Sequence, residues 1–313
     1  MPHSALGRVN APARAIALML VGSAFLAWND AVTKWLARDF PAGQVLCLRS
    51  AFILIPLLLF VWRSGGLDTL RVVNWRHHAL NSAVFAATTF GAVLSVWLLP
   101  LSVFVSFIFA SPILVAALSV PLLGERIGWR RWAAILVGFA GILIIVRPSS
   151  DSLTWGVLAA LVTVTLMALR DLYTRHISRT EHSNAILFYA AIAATAAGAA
   201  TWFAGPAGVP GMEWRPVGLG ALAIFAVAGL LNGSAHFLMI ESLRFGEAAL
   251  VVPFRYTMMI WAILADTLVW GTLPDWPVYP GSALVVASGL YIIRRERLKR
   301  LAAAARQEGR DAA

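Results

Sequence analysis

The sequence predicts an all-α integral membrane protein, with ten transmembrane helices in two inverted repeats of five helices each. Three observations carry this prediction: the composition, ten apolar stretches of spanning length, and an internal repeat. Of the 313 residues, 60% are hydrophobic and 13% are charged, whereas soluble domains carry about 25% charged residues. One soluble core could not bury so much apolar surface, so a lipid bilayer is the predicted environment. The single cysteine, Cys47, excludes an internal disulfide framework and a multi-cysteine metal site.

A helix that crosses a bilayer needs about 20 mostly apolar residues, and ten stretches of the chain meet this requirement. They are numbered here span 1 to span 10 and cover residues 14–36, 42–62, 79–99, 102–123, 131–146, 153–172, 185–203, 217–240, 248–270 and 278–293. The connections between them are too short for a soluble domain. The predicted organisation is an N-terminal segment 1–12, a first repeat 13–147, a second repeat 148–294 and a basic tail 295–313.

The distribution of basic residues predicts the orientation of the spans. If the N-terminus is cytoplasmic, 19 of the 25 Lys and Arg residues lie in cytoplasmic segments and four in external ones, while Arg49 and Arg255 lie within spans. Lys and Arg are enriched in the cytoplasmic segments of membrane proteins. We therefore expect a multi-pass protein of the cell inner (cytoplasmic) membrane with both termini in the cytoplasm. The net charge of +10 is explained in this way, and no nucleic-acid partner is predicted.

The two halves of the chain repeat one another. Leu101–Trp129 aligns without a gap on Ala248–Trp276, at a shift of 147 residues (248 − 101). The motif Asp-x-x-Thr-Lys/Arg begins at Asp30 and again at Asp171, at a shift of 141 residues (171 − 30). Spans 1–5 thus match spans 6–10, and because five is odd, the second half enters the membrane upside down. The basic turn GERIGWRR accordingly has the acidic counterpart GTLPDW. Inverted repeats are typical of secondary transporters, whose substrate site lies near the membrane midplane.

These motifs resemble those of EamA-type permeases of the drug/metabolite transporter superfamily. The resemblance is carried by LGERIGWRRWAAILVGFAGILIIVRP at the end of the first half and by QVLCLRSAFIL around Arg49. The second half departs from the pattern, since Thr272 stands where Glu125 stands in the first. The resemblance implies export of metabolites, amino acids among them, through a central cavity lined mainly by spans 1, 3, 4, 6, 8 and 9. Within the superfamily, the chain is similar to bacterial aromatic amino acid exporters.

Polar and aromatic residues near the middle of these spans are the candidate substrate-binding residues. Aromatic rings offer flat apolar faces to a ring or an aliphatic side chain, and an arginine inside a span would hold a substrate carboxylate. The predicted set is Trp28, Asn29, Phe85, Thr88, Thr89, Phe107, Ser111, Met167, Asn232, His236, Arg255 and Tyr256.

Ionisable residues inside a span need a partner or a water-filled cavity. Asp30 and Arg49 lie at matched depth on adjacent antiparallel helices, which predicts an ion pair, and Lys34 is a second partner for Asp30 because it follows four residues later. Glu241 is predicted to pair with Arg255 near the opposite face. Two interpretations of these pairs stay open: they tether neighbouring helices, or they form gates that change partners during transport.

Three further residues carry structural expectations. Asp266 lies one turn from the outer end of span 9 and is expected to reach interfacial water. Pro112 in span 4 and Pro253 in span 9 are expected to bend their helices, because proline removes a backbone donor.

The sequence is compatible with three functions. An exporter of amino acids with apolar or aromatic side chains, or of related small metabolites, is favoured, because Arg255 would attract a carboxylate. An exporter of lipophilic or quaternary ammonium cations is the alternative, and an intramembrane enzyme is the third. No enzyme, cofactor or metal motif is present, so the predicted partners are a small-molecule substrate and the lipid bilayer. A coupling proton, the direction of transport and the oligomeric state are left open.

Overall fold

The computed structural model describes residues 12–63, 65–123, 128–146, 154–177, 180–203, 205, 213–245 and 252–311, and all regular structure within them is helical. Short 3-10 segments occur at Gly66–Leu70, Thr201–Phe203 and Val252–Thr257. The α-helices of the described residues are α1 Pro12–Asp39, α2 Ala42–Arg63, α3 Trp75–Leu98, α4 Leu101–Ile108, α5 Ser111–Leu123, α6 Trp129–Val146, α7 Trp155–Ile177, α8 Ser183–Ala200, α9 Leu219–Phe245, α10 Met258–Trp270 and α11 Val278–Asp311.

These helices account for the ten predicted spans. Span 4 consists of α4 and α5, span 9 consists of the segment Val252–Thr257 and α10, and span 10 is the first half of α11. Within the described residues, α1, α2, α3, α7, α8 and α9 each contain a stretch that is long and apolar enough to cross a membrane. Shorter apolar helices lie at Leu101–Val115, Trp132–Ile145 and Val278–Ile292. The predicted all-helical class is therefore confirmed.

Two corresponding spans are interrupted where the sequence carries a proline. In span 4, α4 ends at Ile108 and α5 begins at Ser111, one residue before Pro112. The described part of span 9 begins with a 3-10 helix that contains Pro253. Proline has no backbone N–H and leaves a carbonyl of the preceding turn without its helical donor. Regular α-helix is thus interrupted near a proline in one span of each half, and the predicted bending of these helices stays a prediction.

The packing of the helices repeats between the two halves. α1 packs along α9 as α3 packs along α7, and α2 packs on α9 as α3 packs on α8. The contacts of α2 with α8 and of α6 with α11 join equivalent helices. The pattern is unchanged when spans 1–5 are exchanged with spans 6–10, which agrees with the repeat in the sequence.

Glycine allows α2 and α9 to lie in backbone contact. A Cβ atom added at Gly229 would lie 2.7 Å from the backbone oxygen of Arg49, which is closer than packed atoms approach. Small residues permit such contacts between helices in membranes. The contact places Arg49 of α2 within electrostatic range of His236 on α9.

A buried carboxylate corrects two predictions. Asp266 is 1% exposed and does not reach interfacial water. Its Oδ1 lies 3.4 Å from Lys34 Nζ and accepts the backbone N–H of Leu101 at 3.1 Å, while Oδ2 accepts that of Ser102 at 2.8 Å. Lys34 therefore pairs with Asp266 rather than with Asp30, because α1 packs against α10. The carboxylate also satisfies N–H groups at the start of α4, where negative charge is favoured.

Candidate functional site

A cavity of about 160 Å³ lies among α2, α3, α7, α8 and α9. It occupies the half of the bundle where α2 ends and α3 begins, which is the cytoplasmic half in the predicted orientation. Most of its lining is apolar, with a few polar groups that converge from three helices, as is typical of small-molecule sites. The polar lining residues are Asn81, Arg170, Thr174, Asn232 and His236, and the aromatic ones are Phe60, Phe85 and Phe237.

Two contacts hold Arg170 at the cavity wall. Its guanidinium carbon lies 5.1 Å from the centroid of the Phe85 ring, and its Nη2 lies 3.3 Å from Oδ1 of Asp171. A guanidinium has five N–H donors, and neither the ring contact nor one hydrogen bond uses most of them. Arg170 can therefore still bind an anionic group inside the cavity.

Positive charge converges on His236. This residue lines the cavity from α9, and Arg170, Arg255 and Arg49 all lie within electrostatic range of its ring. These arginines belong to α7, to the segment Val252–Thr257 and to α2. Among the described residues that line the cavity, none is acidic. Clefts with one sign of charge and low-dielectric walls concentrate ligands of the opposite charge.

Hydrogen bonds between α3 and α7 orient the polar side of the cavity. Thr174 Oγ1 donates to Asn81 Oδ1 at 2.9 Å. One turn nearer the start of α3, His77 Nδ1 lies 2.6 Å from the hydroxyl of Tyr173. These bonds fix the rotation of α7, and thereby the direction from which Arg170 enters the cavity.

Asp30 and Arg49 are linked through Asn29 rather than in direct contact. Arg49 Nη1 donates to Asn29 Oδ1 at 3.4 Å, and Asn29 Nδ2 donates to Asp30 Oδ1 at 2.9 Å. The fully buried Asn29 occupies the position nearest the guanidinium, which replaces the predicted ion pair by a chain of two hydrogen bonds. Arg49 still attracts the charge of Asp30 across this chain. A gating role for the two residues stays a prediction.

Several predicted substrate residues lie at or near the cavity. Phe85, Asn232 and His236 line it. Arg255 is exposed within its 3-10 segment and acts on His236 electrostatically. Met167 is partly buried, one turn before Arg170 on α7. Their roles in binding stay predictions.

Other predicted residues have different surroundings. The hydroxyls of Thr88 and Thr89 donate to backbone oxygens of their own helix at 2.7 and 2.8 Å. Phe107 is 1% exposed and belongs to the apolar core. Trp28 lines a separate apolar crevice together with Trp35. The cavity thus excludes these side chains, because the helix faces that carry them meet other helices or the outside of the bundle.

Three more predicted residues lie near the helix breaks. Ser111 is the first residue of α5 and is buried. The ring of Tyr256 lies 4.8 Å from that of Phe109, and its buried hydroxyl has no hydrogen-bond partner among the described residues. Glu241 is partly buried in the last two turns of α9, and its pairing with Arg255 stays a prediction.

Arg170, Asn81 and Thr174 were not predicted to lie at the site. Arg170 was assigned to the cytoplasmic end of span 6, but α7 continues to Ile177 and places it two turns inside. A signal was available in the repeat, since Arg170 corresponds to the candidate Asn29 at the shift of 141 residues (170 − 29).

Each end of the bundle is held by a side chain that binds the backbone of a distant segment. At one end, Gln44 donates to the backbone oxygen of Arg215 at 2.7 Å and accepts from its nitrogen at 3.0 Å. At the other end, Glu181 accepts from the backbone nitrogens of Asn74 and the preceding residue at 2.7 and 3.1 Å. Glu181 also lies 3.0 Å from Nε2 of His78. The two contacts occupy equivalent places in the two halves, but only the one made by Glu181 involves an ionisable carboxyl group; Gln44 is neutral.

Burial opposes the charge of Glu181. The hydrogen bonds from His78 and from two backbone N–H groups outweigh this effect and hold the pKa of Glu181 below its ordinary value of 4.5. Glu181 therefore remains ionised at neutral pH and acts as a charged acceptor between the α7–α8 turn and the start of α3.

Comparison with known proteins identifies the family. The sequence profile of the EamA-like transporter family matches residues 13–147 and 154–294. The riboflavin transporter of Rhizobium johnstonii is 29% identical over 296 residues, which are 91% of this chain and 93% of that protein. The S-adenosylmethionine uptake transporter of Rickettsia bellii is 25% identical over 273 residues (86% and 89%). The pseudopaline exporter of Pseudomonas aeruginosa is 25% identical over 288 residues (90% and 96%).

A solved crystal structure agrees with the fold alone. It is 18% identical and superposes with a TM-score of 0.62 over 91% of this chain and 98% of its own. The relatives reported above are named for riboflavin, S-adenosylmethionine and pseudopaline rather than for aromatic amino acids, so the narrower resemblance is not supported by them. The family profile covers both halves of the chain, and the helices form the membrane bundle that such a transporter requires. The chain belongs to the EamA-like transporter family and is a multi-pass membrane transporter of small molecules.

Proposed function

We propose that this protein moves a small organic metabolite that carries a carboxylate, an amino acid or a derivative of one, through the cavity at Arg170 and His236. Transport occurs by alternating access, and the protein lies in the cell inner membrane with both termini in the cytoplasm. The observation that carries the proposal is Arg170 beside His236 in a cavity whose described lining contains no acid. Arg49 and Arg255 add positive charge from outside that lining.

Each part of the cavity has a role in this proposal. Arg170 binds the substrate carboxylate, because a guanidinium accepts a carboxylate through two parallel hydrogen bonds. Its stacking on Phe85 orients the guanidinium before the substrate arrives, which reduces the entropy lost on binding. Phe60 and Phe237, whose ring centroids lie 5.2 Å apart, offer an edge and a face to the apolar part of the substrate.

The relatives support a metabolite of this kind. S-adenosylmethionine is a derivative of an amino acid, and one relative is named for its uptake. Another relative is named as an exporter, so the relatives include proteins named for uptake and for export. The proposed direction is export and the proposed substrate class is amino acids; transport assayed in both directions tests the two together.

A planar heterocycle such as riboflavin is a second candidate substrate. It is supported by the aromatic lining at Phe60, Phe85 and Phe237 and by the identity of 29% to a riboflavin transporter. The same cavity argues against the cation exporter, because a lipophilic cation would meet Arg170 and His236 with no acidic lining residue in the described part of the chain.

The test is transport by the purified protein in liposomes. Labelled aromatic amino acids, S-adenosylmethionine, riboflavin and a quaternary ammonium ion are compared, with the label first inside and then outside. We expect transport of one or more of the carboxylate-bearing compounds. Arg170→Ala should raise their KM at least tenfold, and Arg170→Lys should recover part of the loss. Transport of the quaternary ammonium ion alone would overturn the proposal.

Two variants distinguish a carboxylate-bearing substrate from riboflavin. Phe85→Leu keeps the apolar volume but removes the ring that holds Arg170, so it should weaken binding of carboxylates and of riboflavin alike. Arg170→Ala should weaken only the carboxylates. Arg76→Ala is the matched control, because Arg76 is exposed at the start of α3 and away from the cavity lining. If riboflavin is the transported compound and Arg170→Ala leaves its KM unchanged, the second candidate replaces the first.

A further inference from the structure

A groove on the surface of the bundle lies apart from the substrate cavity. It opens between α6 and α11 and has a volume of about 450 Å³. Ala133, Val137 and Ala287 form apolar walls, while Arg130 and Tyr291 lie at one end. α6 and α11 make most of their contacts with each other, so the groove faces the surroundings of the bundle rather than its interior.

The groove is a fixed feature of two tightly packed helices. Farther along the pair, a Cβ atom added at Gly141 would lie 2.7 Å from the backbone oxygen of Gly281, so the backbones are in contact there. At the floor of the groove, Ser288 Oγ donates to the backbone oxygen of Ala134 at 2.5 Å. The opening therefore does not result from loose packing.

Basic and aromatic side chains surround the end of the groove that carries Trp129. Trp129 is 74% exposed, and the guanidinium carbon of Arg130 lies 5.4 Å from the centroid of its ring. Arg295 Nη1 donates to the hydroxyl of Tyr291 at 3.2 Å, and its buried Nε has no hydrogen-bond partner in the described part of the chain. Two guanidinium groups thus stand beside an apolar groove, at the depth where tryptophan marks the membrane interface.

The repeat in the second half has no arginine beside its tryptophan. At the repeat shift of 147 residues, Trp129 corresponds to Trp276 (276 − 129), whereas Arg130 corresponds to Pro277 (277 − 130), and Asp275 stands before the tryptophan. The tryptophan recurs in the second half, but the arginine that follows it does not. In the predicted orientation, the end of the groove that carries Trp129 faces the cytoplasm.

We propose that this groove binds one anionic phospholipid of the cytoplasmic leaflet. The phosphate of the headgroup lies at Arg130 and Arg295, and one acyl chain lies along Ala133 and Val137. Basic pockets between transmembrane helices on the cytoplasmic side are suited to anionic headgroups, and the apolar walls match an acyl chain. A zwitterionic lipid fits the groove equally well but lacks the net charge that the two arginines attract.

Native mass spectrometry of the full chain in detergent tests the proposal. Phosphatidylglycerol and phosphatidylcholine with identical acyl chains are the probes, and the measured quantity is the ratio of their binding constants. We expect a preference for phosphatidylglycerol that falls at least tenfold in the double variant Arg130→Gln, Arg295→Gln. The estimate follows from a contribution of about fivefold for each arginine near an anionic lipid surface.

Two further variants make the result specific to the groove. Ala133→Phe fills the groove and should weaken both lipids while the arginines remain. The control Arg71→Gln, Arg76→Gln removes two exposed arginines on the same predicted side and should leave the preference unchanged. An unchanged preference in Arg130→Gln, Arg295→Gln, or an equal loss in the control, overturns the proposal. The proposal is also overturned if the protein forms a dimer that retains no lipid, because a second copy of the chain then covers the groove.

Discussion

Asp266→Asn is expected to destabilise the helix bundle by about 3 kcal/mol. The carboxylate joins three helices, since it contacts Lys34 of α1 and the backbone N–H groups of Leu101 and Ser102 at the start of α4. An asparagine keeps one acceptor oxygen where the aspartate has two, so these three contacts cannot all be retained. The substitution also leaves the ammonium group of Lys34 without its anion.

The magnitude follows from the burial of the pair. A hydrogen bond to a charged group contributes about 1.5–3 kcal/mol, and removal of one partner of a buried ion pair costs about 3–5 kcal/mol. Lys34 has a side chain that is 12% exposed, and its Nζ lies 4.5 Å from the centroid of the Trp270 ring. Both features reduce the cost of an unpaired ammonium group, so the lower end of the range, about 3 kcal/mol, is expected.

The free energy of unfolding can be measured in mixed micelles by titration with SDS. Asp68→Asn is the matched control, because Asp68 forms a 3.1 Å ion pair with Arg71 while both side chains are about 80% exposed, and exposed pairs contribute less than about 1 kcal/mol. Lys34→Gln combined with Asp266→Asn should recover part of the loss, because no unpaired charge then remains. If Asp266→Asn lowers the free energy of unfolding by no more than Asp68→Asn does, the reasoning is refuted.

Three further predictions concern the ends and the packing of the bundle. Because the pKa of Glu181 is lower in the folded protein than its ordinary 4.5, its ionised form stabilises the fold above pH 4.5, and this contribution is lost as the pH falls below that value. Melting temperatures between pH 3.5 and 6 should therefore decrease on acidification in the parent and less so in Glu181→Gln; parallel curves would contradict the assignment. Gly229→Ala should cost about 1–3 kcal/mol through overpacking against α2, whereas Gly220→Ala, at an open position, should change the free energy of unfolding by less than 1 kcal/mol. In a variant without Cys47, cysteines at Asp39 and Asp275 should react with a thiol reagent added outside and a cysteine at Leu67 should not; the reverse pattern would invert the orientation.

The sequence predicted part of the candidate site because polarity within a span is informative. Asn232 and His236 are polar residues in the middle of an apolar helix, and both line the cavity. Arg170 was missed because span 6 was drawn to end at residue 172, whereas α7 continues to Ile177; the shorter span placed the arginine at its cytoplasmic end. Thr88 is also polar and central, yet its hydroxyl bonds to its own helix, and no sequence pattern distinguishes that outcome from a role in binding.

The sequence by itself determined the number, order and approximate limits of the spans, the repeat and the family. The physical reason is that a segment in lipid must satisfy its backbone hydrogen bonds within itself, so an apolar stretch of sufficient length forms a helix whatever its neighbours are. Only the tertiary structure decided which side chains meet. Lys34 and Asp266 are 232 positions apart, and their contact depends on how α1 and α10 are rotated. Helices that are apolar on all sides do not reveal their buried face by hydrophobic periodicity, since lipid is as apolar as the neighbouring helix; small residues and polar contacts set that rotation instead.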